Sequence, residues 1–123
     1  MFKVKWLPKS PYTTVWQNMR AFTKARSSTT PDEIWLLEHE PVYTMGRAAA
    51  SHHILNTGLI PVVRCDRGGQ VTYHGPGQIM AYCLVDLRRH NLFVKEYVNL
   101  LEAVLIQQLQ GLGLQPERIK GAP

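Results

Sequence analysis

The sequence predicts an α+β domain, a mixed sheet backed by at least two helices, on three observations. Short β-branched and aromatic runs cluster between residues 33 and 87, two segments carry apolar residues at helical spacing, and no strict strand–helix alternation separates them. Clustered strands favour this class over a doubly wound parallel sheet.

In chain order, FKVKWL (2–7) alternates apolar and basic residues, as a half-exposed strand does. Ser10 and Pro11 then predict a helix start, serine as N-cap and proline at the first helical position. Tyr12, Val15, Trp16, Met19 and Phe22 follow on one face, and Ser27 to Pro31 predicts a loop. EIWLLEH (33–39) and VYTMG (42–46) read as extended segments divided at Glu40-Pro41. AAASHHILNTGLIP (48–61) suggests a short helical turn leading into VVRC (62–65), a strand. QIMAYCLVDL (78–87) is apolar on both alternating faces and predicts a buried central strand. Finally, Val94, Tyr97, Val98, Leu101, Val104, Leu105, Leu109 and Leu112 form the stripe of a long helix that Gly111 or Gly113 can end. Such a stripe is expected to lie on a sheet.

The 123 residues suit a single domain, and 45% hydrophobic with 19% charged residues is globular composition. Cys65 and Cys83 cannot make a disulfide framework or a zinc site unaided, and they point to a reducing compartment. No apolar run is long enough to span a membrane, and MFKVKWLPKS lacks the apolar core of a signal peptide, so a soluble, cytoplasmic chain is expected. The charge of +5 is uneven: residues 1–30 carry six bases and no acid. Without zinc-finger spacing, an RNA-recognition signature or an arginine-rich block, nucleic acid is not an expected partner. His39, His52, His53 and His74 are too irregularly spaced to predict a metal site.

Residues 66–78, DRGGQVTYHGPGQ, hold the densest chemistry. The P-loop pattern GxxxxGK[ST] is absent, and the dinucleotide fingerprint would have to open a helix, whereas here a strand-like run follows. Two readings stay open. The glycines can serve only bulges and turns in a hairpin, or Gly68 and Gly69 can let backbone amides approach a carbonyl or thioester oxygen. In an extended segment Val71 and Tyr73 point one way, Thr72 and His74 the other, and HGPGQ makes a tight turn back into 78–87. Arg67 beside Asp66 can be a simple ion pair.

RGGQVTYHGPGQ (67–78), with LLEHEPVYTMGR (36–47), IPVVRCDRGG (60–69), AYCLVDLRR (81–89) and KEYVNLLEAVLIQQLQGLGL (95–114), closely resembles the lipoyl(octanoyl) transferases over nearly the whole chain from Tyr12. The resemblance implies the fold shared with biotin- and lipoate-protein ligases. It also implies movement of an octanoyl group from octanoyl-acyl carrier protein to a lysine of a lipoyl domain, without a cofactor. The matching acyl-binding segment is Arg67, Gly68, Gly69, Gln70, Val71, Thr72, Tyr73 and His74. The basic N-terminal segment would suit such acidic partners. The family's chemistry is attack on the thioester by a cysteine thiolate, assisted by a lysine. Both are expected after a GAPGVYV-like strand, beyond Pro123, so no catalytic residue is assigned among 1–123. On this basis the chain is expected to be an incomplete, inactive N-terminal part with an open sheet edge and poor solubility, or a non-catalytic binding half of a split enzyme. Cys65 and Cys83 are expected to be small core residues.

Overall fold

The structure, a computed structural model, describes residues 2–49 and 56–121. It forms two compact units, Met1–Val85 and Asp86–Pro123. The six strands, β1 (Phe2–Trp6), β2 (Asp32–Leu37), β3 (Val42–Met45), β4 (Val62–Arg64), β5 (Val71–His74) and β6 (Met80–Leu84), all lie in the first unit with helix α1 (Tyr12–Ala25). They build two three-stranded mixed sheets, ordered β1-β2-β6 and β4-β3-β5. In the first, β1 runs parallel and β6 antiparallel to β2; in the second, β4 runs parallel and β5 antiparallel to β3.

The α+β class is as the sequence predicts, but the pairings depart from it. The expected hairpin between residues 71–74 and 78–87 does not form: β5 pairs with β3 and β6 with β2. The turn explains why. The Gln78 amide donates to the Gly75 carbonyl (3.2 Å), with Pro76 and Gly77 between them and Gly77 at φ 90°. That is a type II turn, whose twist splays flanking strands instead of pairing them. It therefore carries the chain from one sheet to the other. β6 is also not the buried centre of its sheet; it is a half-buried edge, and β2 is central and mostly buried.

The face of α1 foreseen from residue spacing serves both sheets at once. Tyr12, with Trp16 beside it, packs against Val42, Cys65 and Val63; Val15, with Met19 and Phe22, packs against Trp35, Leu37, Tyr82 and Leu84. Each fully buried side chain of this size contributes roughly 1.5–3 kcal/mol. The helix begins one residue later than predicted, with Pro11 as N-cap and no side-chain cap. Ser10 is diverted: its hydroxyl donates to the Pro8 carbonyl, and its backbone forms a bridge with His39.

The basic run of residues 1–30 is partly neutralised by acids of β2, which sequence segments kept apart. Arg26 pairs with Asp32, and Lys5 lies 2.9 Å from Glu33. Burial opposes ionisation of Glu33, but the Trp35 indole N–H (2.6 Å) and the Lys5 ammonium hold its carboxyl below the usual range. A lowered carboxyl pKa contributes stability above the unfolded value, about 4.3, that is lost as pH falls through the folded one. The stability advantage of the wild type over Glu33→Gln is accordingly expected at neutral pH and to shrink below about pH 4. Urea midpoints of both proteins across this range check it; a gap independent of pH would overturn the assignment.

β1 is more exposed than its alternation predicts, because Phe2, Val4 and Trp6 are uncovered as well as the lysines. In the second unit, a 3₁₀ turn (Leu87–His90) precedes α2 (Val94–Gly111). The Glu96 carboxylate accepts the Phe93 amide at the start of α2. At its end, Leu114 donates to Leu109 and Gly113 to Gln110, a Schellman closure. Among the described residues of this unit, nothing covers the apolar stripe at Val98, Leu101, Val104 and Leu105.

Candidate functional site

The glycine segment is held in place chiefly by its own carbonyls. After β4 the chain doubles back along the end of β3. There Gly46 donates to the Gln70 carbonyl (2.9 Å), Arg47 to that of Arg67 (3.0 Å) and Ala48 to that of Gly69 (3.1 Å). The approach is too close for a side chain. A Cβ on Gly46 would stand 2.3 Å from the Gly69 oxygen and 2.5 Å from the Gly68 oxygen. Gly46 is thus as much part of the loop as Gly68 and Gly69, a role its place in the motif VYTMG did not reveal.

Arg67 clamps the loop from within. Its Nη1 donates to Gly68 O (2.7 Å), and Nη2 reaches Thr44 O (2.8 Å), Thr44 Oγ1 (2.8 Å) and Gln70 O (2.9 Å). Its Nε adds a bond to Thr44 Oγ1 (3.3 Å). One planar guanidinium can satisfy so many oxygens because its donors form a rigid fork.

The extended-strand expectation for residues 71–74 holds. Tyr73 stands opposite Tyr43, ring centroids 5.4 Å apart, while His74 stands opposite Val42 on the other face and is buried. Thr44, two residues along β3 from Val42, shares that face, and its Oγ1 is 3.0 Å from His74 Nε2. Gln70 and Thr72 are exposed, Val71 half-buried. Gly77 donates to the Glu38 carboxylate (2.7 Å), which ties the type II turn to the end of β2.

Behind His74 lies a ring cluster that sequence reasoning missed. Tyr12 stacks on His74 (centroids 6.2 Å apart, 6° between planes) and meets the edge of His39 (5.4 Å). His39 is fully buried, and both ring nitrogens are engaged. The Ser10 carbonyl can only accept, so His39 Nδ1 donates to it (2.8 Å) and Nε2 accepts the Tyr82 hydroxyl (2.6 Å). Burial, then its contact with the Cys65 thiol, pushes the Tyr12 phenol well up; burial and Cys65 push Tyr82 up to about 12. Both stay neutral hydroxyls. Burial first, then the neighbouring His39 and the Arg67 cation, depress His74, while the Gln78 side chain acts in the opposite sense. The signal in sequence was faint: His39, Tyr12 and Tyr82 lie far apart, and only the pairing of both sheets brings them together.

Cys65 is buried between Tyr12 and Val42, and Cys83 is half-buried; both are free thiols. Residues 50–55, with His52 and His53, lie outside the described residues. Among the described residues no group of three His, Cys, Asp or Glu side chains could hold a metal, and no helix is long and apolar enough to cross a membrane.

Comparison with known proteins agrees on one family. Residues 11–122 match the model described as the lipoyl protein ligase A/B catalytic domain. The chain is 59% identical over 122 residues to an octanoyltransferase of Bordetella petrii, covering 98% of this chain and 57% of that protein. It is 57% identical over 112 residues to one from Aromatoleum aromaticum (91% and 48%). With one from Vibrio cholerae serotype O1 it shares 52% over 120 residues (98% and 56%). The chain therefore spans about half the length of the curated relatives it matches.

Proposed function

Because the chain belongs to the lipoyl protein ligase A/B catalytic domain family, we propose that it serves octanoyl transfer from acyl carrier protein to a lysine of a lipoyl domain. Residues 1–123 act as the N-terminal part of one such catalytic domain. Within it, Arg67, Gly68, Gly69, Gln70, Val71, Thr72, Tyr73 and His74 form one wall of the acyl site. The observation that carries this reading is the Arg67-clamped loop stapled onto Gly46, Arg47 and Ala48. A loop whose carbonyls are bound inward on that side is a fixed backbone surface, the kind that preorganises donors toward a thioester oxygen. The nucleophilic cysteine and its lysine are not assigned to any residue of this chain. The half-length match to octanoyltransferases supports the substrate class. Free Cys65 and Cys83 fit a reducing cytoplasm.

Titration with octanoyl-acyl carrier protein, followed by amide chemical shifts of the labelled chain, tests the reading. Saturable shifts are expected in residues 67–74, with binding weakened at least about tenfold, ~1.4 kcal/mol, by Arg67→Ala. Shifts confined to other regions, or equal binding by unacylated carrier protein, would overturn it.

A further inference from the structure

The hydrogen bonds around Thr44 have a direction. Arg67 can only donate, and its Nη2 (2.8 Å) and Nε (3.3 Å) both converge on Thr44 Oγ1. With that oxygen turned to the guanidinium fork as an acceptor, its hydroxyl hydrogen is directed to His74 Nε2, 3.0 Å away. Nε2 must then be the bare nitrogen, and the ring hydrogen sits on Nδ1. Thr44 is fully buried and His74 nearly so, so water does not compete. Gln78 donates its amide Nε2 to the Tyr73 carbonyl (3.3 Å), next along the strand. The donors of Arg67 and of Thr44 thus face the same way, toward His74 Nε2.

We propose that Thr44 is a positioning residue: held by Arg67, it donates to His74 Nε2 and fixes His74 as a neutral ring with its hydrogen on Nδ1. Protonating Nε2 would set two donors head to head with the Arg67 cation behind them. The other groups facing the ring agree with this. Tyr12 stacks on it as a neutral phenol, His39 stands 6.4 Å away with its nitrogens occupied, and burial disfavours a charge. The consequence for the acyl site, which alone rests on the function proposed above, is that His74 is a fixed wall group and not a general base.

Long-range proton–nitrogen spectra of the ¹⁵N-labelled chain, with His74 signals identified by their loss in His74→Asn, read the tautomer directly. Wild-type His74 is expected to show the hydrogen on Nδ1 and to keep that pattern below pH 6.5, the ordinary imidazole value being about 6.5. In Thr44→Val, Arg67 keeps its carbonyl acceptors, while the ring is expected to shift to the Nε2–H form and titrate nearer 6.5. Thr44→Ser should restore the wild-type pattern. A wild-type ring with its hydrogen on Nε2 would overturn the inference even if Thr44→Val failed to fold, and so would a Thr44→Val spectrum identical to wild type. The carrier-protein titration reads the acyl site separately: lost acyl binding with an intact Nδ1–H ring would sink the site and leave the relay standing.

Discussion

Gly46→Ala is expected to destabilise the chain by about 3 kcal/mol or more, the upper end of what overpacking costs, and to release the Arg67 loop. The added methyl would meet three backbone atoms, Gly69 O at 2.3 Å, Gly68 O at 2.5 Å and Gly69 C at 2.8 Å. No rotamer change can relieve such contacts, so β3 and the loop must separate. Separation breaks the three amide bonds from Gly46, Arg47 and Ala48 and pulls the guanidinium away from Thr44. Gly75→Ala is the matched control. Its Cβ would stand just as close to a neighbour, but that neighbour is the hydroxyl end of Tyr73, a partly exposed side chain that can swing aside. Denaturant midpoints give the energies, and hydrogen exchange at Arg47 and Ala48 reports the loop. A Gly46→Ala protein within 1 kcal/mol of wild type, with these amides still protected, would show that the close approach is not structural.

Asp32→Ala is expected to cost about 3–5 kcal/mol, the range for breaking one side of a buried ion pair. Arg26, just past the end of α1, reaches Asp32 at the start of β2 with Nη2 and the Leu84 carbonyl at the end of β6 with Nη1 (3.2 Å). Its guanidinium also lies over the Phe22 ring. Removing the carboxylate leaves a largely buried cation with one carbonyl acceptor, and its Nε already lacks a hydrogen-bond partner. The same physics predicts non-additivity. With Arg26→Met already in place, losing Asp32 is expected to cost far less, because no orphaned cation is left behind. Urea unfolding of the two single variants and the double variant forms the cycle; additive effects would show that the pair is not coupled.

The elements were legible where local chemistry decides them. Tyr12, Val15, Met19 and Phe22 marked the buried face of α1, and residues 33–39, 42–46 and 62–65 marked β2, β3 and β4, since runs between proline and glycine have few alternatives. Partners were not legible. A period of two says which face a residue takes, not which strand lies beside it, so residues 78–87 read as central although β6 is an edge. The same limit hid the site. Arg67 and His74 were visible in their motif, but Thr44 and Gly46 matter only because β3 runs beside the motif, and VYTMG carries no mark of that neighbour. Likewise, the six bases of residues 1–30 looked unopposed until β2 brought Asp32 and Glu33 alongside.

The two antiparallel pairings are nested, and this bears on how the chain assembles. The β3–β5 pair closes entirely inside the interval between β2 and β6. Closing the outer pair first would confine the whole of 38–79 as one loop. Once β3 and β5 are joined, only 38–41 and 75–79 have to be ordered, and the second of these is already bent by Pro76 and Gly77. Because closure entropy grows with the length of free chain, the inner sheet acts as a clasp that shortens the search for the outer one. Pairing of β5 with β3, if it comes first, therefore eases the union of β2 with β6, two strands that β5 never touches through a ladder of its own.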